Sequence, residues 1–261
     1  MSSTTLARRS DGTRASGWLA TVQRITRALR HAAFGLERLG ELAAPQACGG
    51  CGLRHQRLCE PCRVGFERRL AQPAFGWVER PLPGSPPCWA HLVYEGAVTR
   101  MLPAFKDDDR VDLLPPLAAA VRAAVEGVFD QKPALERALH TGRLVVVCAP
   151  STAASVRLRG RLPLRDLVRR ALEGSSMQVA PPGALRFGRA VRDQAGLGVT
   201  QRARNLSGSM RATDVQGRLC LLLDDVITSG ATLTEASRAL RVAGADDVVA
   251  LTAAAAVLRR R

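Results

Sequence analysis

Residues 219–223, Leu-Cys-Leu-Leu-Leu, run without a polar break into Asp224-Asp225-Val-Ile-Thr228-Ser229-Gly230-Ala231-Thr232, the string that most constrains the fold. An apolar run of this kind suits a strand covered on both faces, as in a parallel sheet, where hydrophobic and polar residues need not alternate. The two acids then fall at the strand's carboxyl end, the edge where open α/β sheets bind ligands. The small-residue loop after them leads into a helix predicted to start near Thr232. Thr232-Leu-Thr-Glu235 reads as a capping box that dates this start, with Thr232 accepting from the third helical N–H and Glu235 reaching back to the cap.

The orphan N–H groups of that first turn, its positive dipole end and the hydroxyls of Thr228, Ser229 and Thr232 together suit a phosphate dianion. Gly230 allows close approach of backbone to the anion. Adjacent carboxylates repel each other in a dry pocket, so the pair implies a group that satisfies both, such as ribose hydroxyls or Mg2+. The plainer alternative is an Asp-Asp turn followed by a Ser/Thr-rich helix cap.

The string resembles the phosphoribosyl pyrophosphate signature of type I phosphoribosyltransferases. That resemblance implies that Asp224 and Asp225 hold the ribose 2- and 3-hydroxyls, and that Thr228, Ser229, Gly230, Ala231 and Thr232 hold the 5-phosphate. It also implies an α/β fold with a parallel sheet flanked by helices.

The chain has 261 residues and 46% apolar content, enough for one substantial α/β core plus a small module. A net charge of +15 and a pI near 11.1 point to an acidic partner, nucleic acid or a phosphorylated ligand. Of the 38 basic residues only Lys106 and Lys132 are lysines, so part of this charge is an arginine bias that GC-rich codons also produce. Aromatic content of 4% leaves no stacking platform for single strands. The longest apolar stretch, residues 248–258, falls short of the roughly 20 residues that a bilayer-spanning helix needs. Residues 1–30 are rich in Arg, Ser and Thr, as transit peptides are, but lack the apolar core of a secretory signal. Seven cysteines without an even disulfide framework suit a reducing interior, so a cytoplasmic protein is expected.

Four of those cysteines form two Cys-x-x-Cys knuckles, Cys48 with Cys51 and Cys59 with Cys62, separated by seven residues. Four thiolates at this spacing suit tetrahedral Zn2+, and Gly49, Gly50 and Gly52 relieve the backbone of the tight turn. Arg54, Arg57 and Arg63 would favour the thiolate forms. Redox-active dithiols or unpaired thiols are the competing readings, and they leave the doubling of the motif unexplained. Ahead of the knuckles, Trp18, Val22, Ile25 and Leu29, then Leu36, Leu39 and Leu42, recur at helical spacing. Arg24, Arg27 and Arg30 among them allow an acidic lipid or nucleic acid as an alternative to packing. The expected organisation is a basic, partly disordered extension over 1–33, a zinc module over 34–80 and the α/β domain over 88–258.

In the middle of the chain, His91 to Tyr94 reads as a strand, followed by a helix reaching Phe105-Lys106. Lys106, beside Asp107-Asp108-Asp109, stands where the chain otherwise selects arginine, as if a compact ammonium were wanted; a solvated turn is the other reading. Leu113, Leu117, Val121 and Val125 predict a helix over 112–128. Leu144 to Val147 predicts a second buried strand, and Ser151, Thr152, Ala153 and Ala154 a small-residue loop after it that admits phosphate. Arg157, Arg159 and Arg161 would add charge-assisted bonds, and Pro163 opens a further helix. Between Phe187 and Met210, glycines and arginines, Arg202 among them, read as a mobile lid or an ordinary basic loop.

The four cysteines, Phe105-Lys106 with its acidic turn, Arg159-Gly160, Gln194-Ala-Gly-Leu, Arg202-Ala-Arg-Asn205-Leu and the Asp-Asp loop occur here in the order found in ComF or GntX-like phosphoribosyltransferases. The similarity spans about residues 34–258. It implies phosphoribosyl pyrophosphate with Mg2+ as substrate, transfer to an acceptor and a pyrophosphate cradle at Ser151 and Thr152. It also implies an association with competence, including single-stranded DNA and a DNA-uptake helicase as partners. The family's usual Arg-Gly-Phe-Asn-Gln run stands here as Arg159-Gly160-Arg161-Leu162-Pro163. A non-catalytic DNA-uptake accessory with a degenerate pocket is therefore the alternative to an enzyme.

Overall fold

The computed structural model describes residues 47–72, 77–78, 82–191 and 198–256. The expected helices before the knuckles, the lid residues Arg192, Asp193, Gln194 and Gly196, and the end of the last apolar stretch lie outside the described residues.

After the first knuckle come α1 (Glu60–Leu70), β1 (Trp77–Val78), β2 (Cys88–Val93) and α2 (Val98–Asp107). A short 3-10 turn (Val111–Leu113) leads into α3 (Leu114–Gln131) and α4 (Pro133–His140). The chain continues as β3 (Leu144–Cys148), α5 (Ala153–Arg159), α6 (Pro163–Ala171), β4 (Leu185–Phe187), α7 (Val199–Leu206) and β5 (Met210–Ala212). It closes with β6 (Leu219–Ile227), α8 (Ala231–Val242) and β7 (Asp247–Ala255). The predicted helix over 112–128 begins two residues later, because Pro115 and Pro116 belong to its first turn, where their missing N–H groups have no intrahelical acceptor to lose.

The sheet runs β1-β2-β7-β6-β3, with β2, β7, β6 and β3 parallel and β1 antiparallel at the edge. Both faces are covered, which explains why the strands read as continuous apolar runs. Leu221, Leu223, Val249 and Leu251 join one core with α3 and α6. Their neighbours Cys220, Leu222, Val248 and Ala250 join the other, beneath α8.

Strand order fixes where a ligand can enter. From β3 the chain passes through α5 and α6 and returns beyond β3's outer edge, where Val179 bridges Val146 in parallel. From β6 it passes through α8 and returns on the opposite side, as β7. The connections of these adjacent strands leave in opposite directions, and such a reversal opens a crevice at the strands' carboxyl ends.

Candidate functional site

Asp224 and Asp225 lie at that crevice, inside β6 rather than in a turn after it. On the β3 side pairing stops at Cys148 opposite Leu223, and the last ladder bond is Ala149 N–H to the Leu223 carbonyl at 2.8 Å. On the β7 side it continues through Ile227 opposite Ala255. From Asp224 onward β6 is therefore a one-sided strand, and its free side faces the gap that β3 vacates. The expected strand end is thus corrected by four residues, and the acids gain a rigid backbone.

The gap is a cleft of about 290 Å³. Asp224, Asp225, Lys106, Ser151, Thr152 and Thr232 all line it, so residues from three segments distant in sequence meet there. Ser155 and Arg159 also line it. Thr152 caps α5, its hydroxyl accepting from the Ser155 N–H at 3.2 Å and donating to the Ser155 hydroxyl at 2.9 Å. Ser155 was not singled out from sequence, although its place at the third helical position after a Thr cap is a usable signal.

Lys106 Nζ donates to Asp225 Oδ2 in a short ion pair. Burial opposes the Lys106 charge, but the carboxylates of Asp225 and Asp224 outweigh it and raise the pKa of the ammonium. The lysine reading is accordingly the charged one and not the solvated turn. Asp224 behaves differently: burial, and then the charge of Asp225, push it up to about 8. Asp225 is held below the ordinary carboxylate range; burial opposes its charge and Lys106 overrides that. The site thus holds a carboxylate paired with an ammonium, beside a carboxyl group that burial and its neighbour's charge make hard to ionise.

Other expectations need correction. Helix α8 starts at Ala231 behind Gly230, which takes a left-handed φ of 73°, and no side chain caps it. Glu235 turns away to accept from the Gly208 and Met210 N–H groups at 3.1 and 2.8 Å, so the capping box is not formed. Tertiary donors win over the local one. Thr228, Ser229, Gly230 and Ala231 form the connection into α8 without lining the cleft; Ser229 accepts from Ala231 N–H at 3.4 Å, and Ala231 packs into the second core. Arg202 lies on α7, which packs on α8, and does not line the cleft either. Arg159 pairs with Asp107 at 2.6 Å, and Arg161 pairs with Asp109 at 2.6 Å while stacking over Phe105. Arg157 is exposed. The acidic turn thus holds two of the three arginines expected at phosphate.

The cysteines form a separate candidate metal centre. The four Sγ atoms of Cys48, Cys51, Cys59 and Cys62 lie within 4.8 Å of one another. Cys59 Sγ is 3.5 Å from both Cys48 and Cys51. A tetrahedron with Zn–S bonds of about 2.3 Å has edges of about 3.8 Å, so the cluster has the geometry to hold a metal ion such as zinc. Cys48 accepts from the N–H groups of Cys59 at 3.3 Å and Gly50 at 3.4 Å. Burial opposes its ionisation, yet these backbone donors bring it down to about 6. Burial and the neighbouring thiols push Cys62 up. Only a cation at the centre satisfies four thiolates together. Arg63, expected to favour those thiolates, is taken by Glu60 and Glu67 at 2.7 Å each. Arg110, for which the sequence carries no local signal, is a cation close enough to Cys48 to feel its charge, although Asp112 is its main partner.

Among the described residues no helix is long and apolar enough to cross a membrane. No protein-family model matches the chain, and no curated protein matches it.

Proposed function

We propose that the cleft binds phosphoribosyl pyrophosphate with Mg2+, on a type I phosphoribosyltransferase-like fold, and that the protein transfers the phosphoribosyl group to an acceptor. The observation that carries this reading is the pair Asp224 and Asp225, on the free side of β6 and opposite the Ser151-Thr152 loop. Two adjacent carboxyl groups on a rigid strand match a vicinal diol. Thr232, in the first turn of α8, lines the cleft and matches the 5-phosphate, and the start of α5 with Lys106 and Arg159 nearby matches the diphosphate.

In the reaction the bond from C1 to the diphosphate oxygen breaks, its electron pair leaves with diphosphate, and the acceptor's lone pair adds to C1. Anchoring the 5-phosphate and the diol holds C1 in place, and binding energy from these remote groups lowers the barrier at the reacting carbon. Lys106 and Arg159 supply positive charge for the leaving diphosphate. Mg2+, when bound, neutralises further charge on it. None of the side chains lining the cleft stands out as a general base, so the acceptor would bring its own nucleophile.

Titration calorimetry with phosphoribosyl pyrophosphate and Mg2+ tests the pocket. Binding is expected for the native chain and lost in the Asp224→Asn, Asp225→Asn double variant, with circular dichroism unchanged. Equal affinity in both proteins overturns the reading. The pairing of Arg159 with Asp107 favours one rival, a sensor that binds the sugar phosphate without turning it over; binding without pyrophosphate release across a panel of acceptors would support that rival.

A further inference from the structure

The cysteine module is fastened to the helix that carries Lys106, and at both ends of that helix. Near the start of α2, Arg100 Nη1 donates to the Cys51 carbonyl at 3.1 Å. Just past its end, Arg110 donates through Nη1 to the Ala47 carbonyl at 2.7 Å and through Nη2 to the Arg57 carbonyl at 2.8 Å. The Arg110 guanidinium is itself oriented by Asp112, which accepts from Nε and Nη2 at 2.8 Å each. Both side chains are largely buried, 17% and 15% exposed. The Arg110 amide bonds the Ala104 carbonyl at 3.2 Å, two residues before Lys106. Behind it, Leu113 presses against the knuckle so closely that a Cβ on Gly49 would lie 2.8 Å from its methyl group. The knuckle carbonyls that receive these bonds belong to the loop folded around the four sulfurs.

From this geometry we infer that the metal-holding module sets the position of Lys106, and that Arg110 is the positioning residue that carries the constraint from knuckle to cleft. A planar guanidinium with several donors in fixed directions can grip Asp112 and two knuckle carbonyls together. With the module ordered, α2 has its last turn clamped and the Lys106 ammonium is held on Asp225. With the module loosened or Arg110 replaced, α2 keeps its apolar anchors Met101, Leu102 and Phe105 and the ion pairs of Asp107 with Arg159 and Asp109 with Arg161, but its final turn loses the tie to the knuckle.

Lys106 and Lys132 are the only lysines in the chain, so limited acetylation of the full-length, zinc-loaded protein followed by peptide mass spectrometry reads Lys106 against an internal reference. In the native protein Lys106 should react more slowly than Lys132, because its ammonium is ion-paired. In Arg110→Gln, with zinc content unchanged, the ratio of Lys106 to Lys132 labelling should rise about threefold or more, the size of a typical coupling between residues of one network. Arg110→Lys should do the same, and it serves if the glutamine variant fails to fold; Arg100→Gln tests the other clamp. An unchanged ratio in Arg110→Gln or Arg110→Lys that retains zinc overturns the inference.

Where ligand affinity is the readout, the inference rests on the sugar-phosphate reading; lysine labelling does not. Arg110→Gln should weaken phosphoribosyl pyrophosphate binding about fivefold in the native background and have no effect in Lys106→Met, since the two residues act through one path. An equal loss in both backgrounds would mean that Arg110 does not act through Lys106. If the native protein shows no affinity for the sugar phosphate while Lys106 labelling still responds to Arg110, the ligand reading fails and the positioning role stands.

Discussion

Lys106, the penultimate residue of α2, is ion-paired to Asp225, 119 residues further along the chain in β6. The pair divides two adjacent carboxyl groups into unlike partners. Asp225 keeps its charge on the ammonium, whereas Asp224 is left with burial and a neighbouring negative charge, and holds its proton up to about pH 8. The sheet places an unfavourable group at the carboxyl end of its strands, beside the cleft, as sites that bind ligands commonly do.

A stability signature follows for Asp224. Its folded pKa of about 8 lies above the ordinary value of 3.8, so the folded chain holds the proton more firmly than the unfolded one. Its contribution to stability is fully present below the lower value and drains away as pH rises through the upper one. Asp224→Asn never ionises and escapes this loss. Its melting temperature relative to the native protein should therefore climb between pH 5 and pH 8 and level off above that. A coupled gain of about 1 kcal/mol corresponds to roughly 2–4 °C for a chain of this size. Melting curves that stay parallel across this range would show that Asp224 is ionised in the folded state.

Much of the frame was readable in the residues themselves. The runs at 144–147 and 219–223 are strands because a sheet covered on both faces leaves no polar position to obscure them. Lys106 was visible through the rarity of lysine, and the four cysteines through their spacing. What stayed hidden depends on partners distant in sequence. Glu235 carries a perfect local capping pattern, yet two backbone donors near residue 209 are available to it, and a local pattern cannot reveal them. Arg110 looks like the end of an acidic turn; its carbonyl partners lie 53 and 63 residues away. Arg159 and Arg161 look like phosphate ligands in sequence because the acids that hold them, Asp107 and Asp109, belong to another segment.

For the metal centre, the discriminating residue is Gly50. A Cβ there would come within 2.8 Å of Cys62 Sγ and 3.0 Å of Cys62 Cβ, so Gly50→Ala has to displace a ligand sulfur. Gly65, in α1, offers a matched control with no heavy atom within 4 Å of an added Cβ. Metal analysis of purified protein should find about one Zn per chain in the native form and in Gly65→Ala, and clearly less in Gly50→Ala. Gly65→Ala should also melt slightly higher, because alanine is favoured over glycine in a helix by up to about 1 kcal/mol. Full zinc content in Gly50→Ala would place the metal elsewhere.

Glu235 makes the opposite prediction to Asp224 from only eleven residues further on. It is 5% exposed, and its carboxylate binds the Gly208 and Met210 N–H groups and the Arg238 guanidinium, tying α8 to the turn between α7 and β5. Burial opposes its charge, but Arg238 and the two amides prevail and hold its pKa below the ordinary 4.5. Its contribution is therefore present above that value and lost as pH falls through the folded pKa. Glu235→Gln keeps the shape and loses the charge, leaving a buried donor underserved at a cost of about 1–3 kcal/mol at neutral pH. The melting-temperature deficit of this variant should be largest near pH 7 and shrink on acidification below the ordinary 4.5, as the native glutamate takes up its proton. Because Glu235 does not line the cleft, sugar-phosphate affinity measured at a temperature where the variant is folded should equal that of the native chain. A deficit that grows with acidification would mean that the carboxyl group is already protonated in the folded protein.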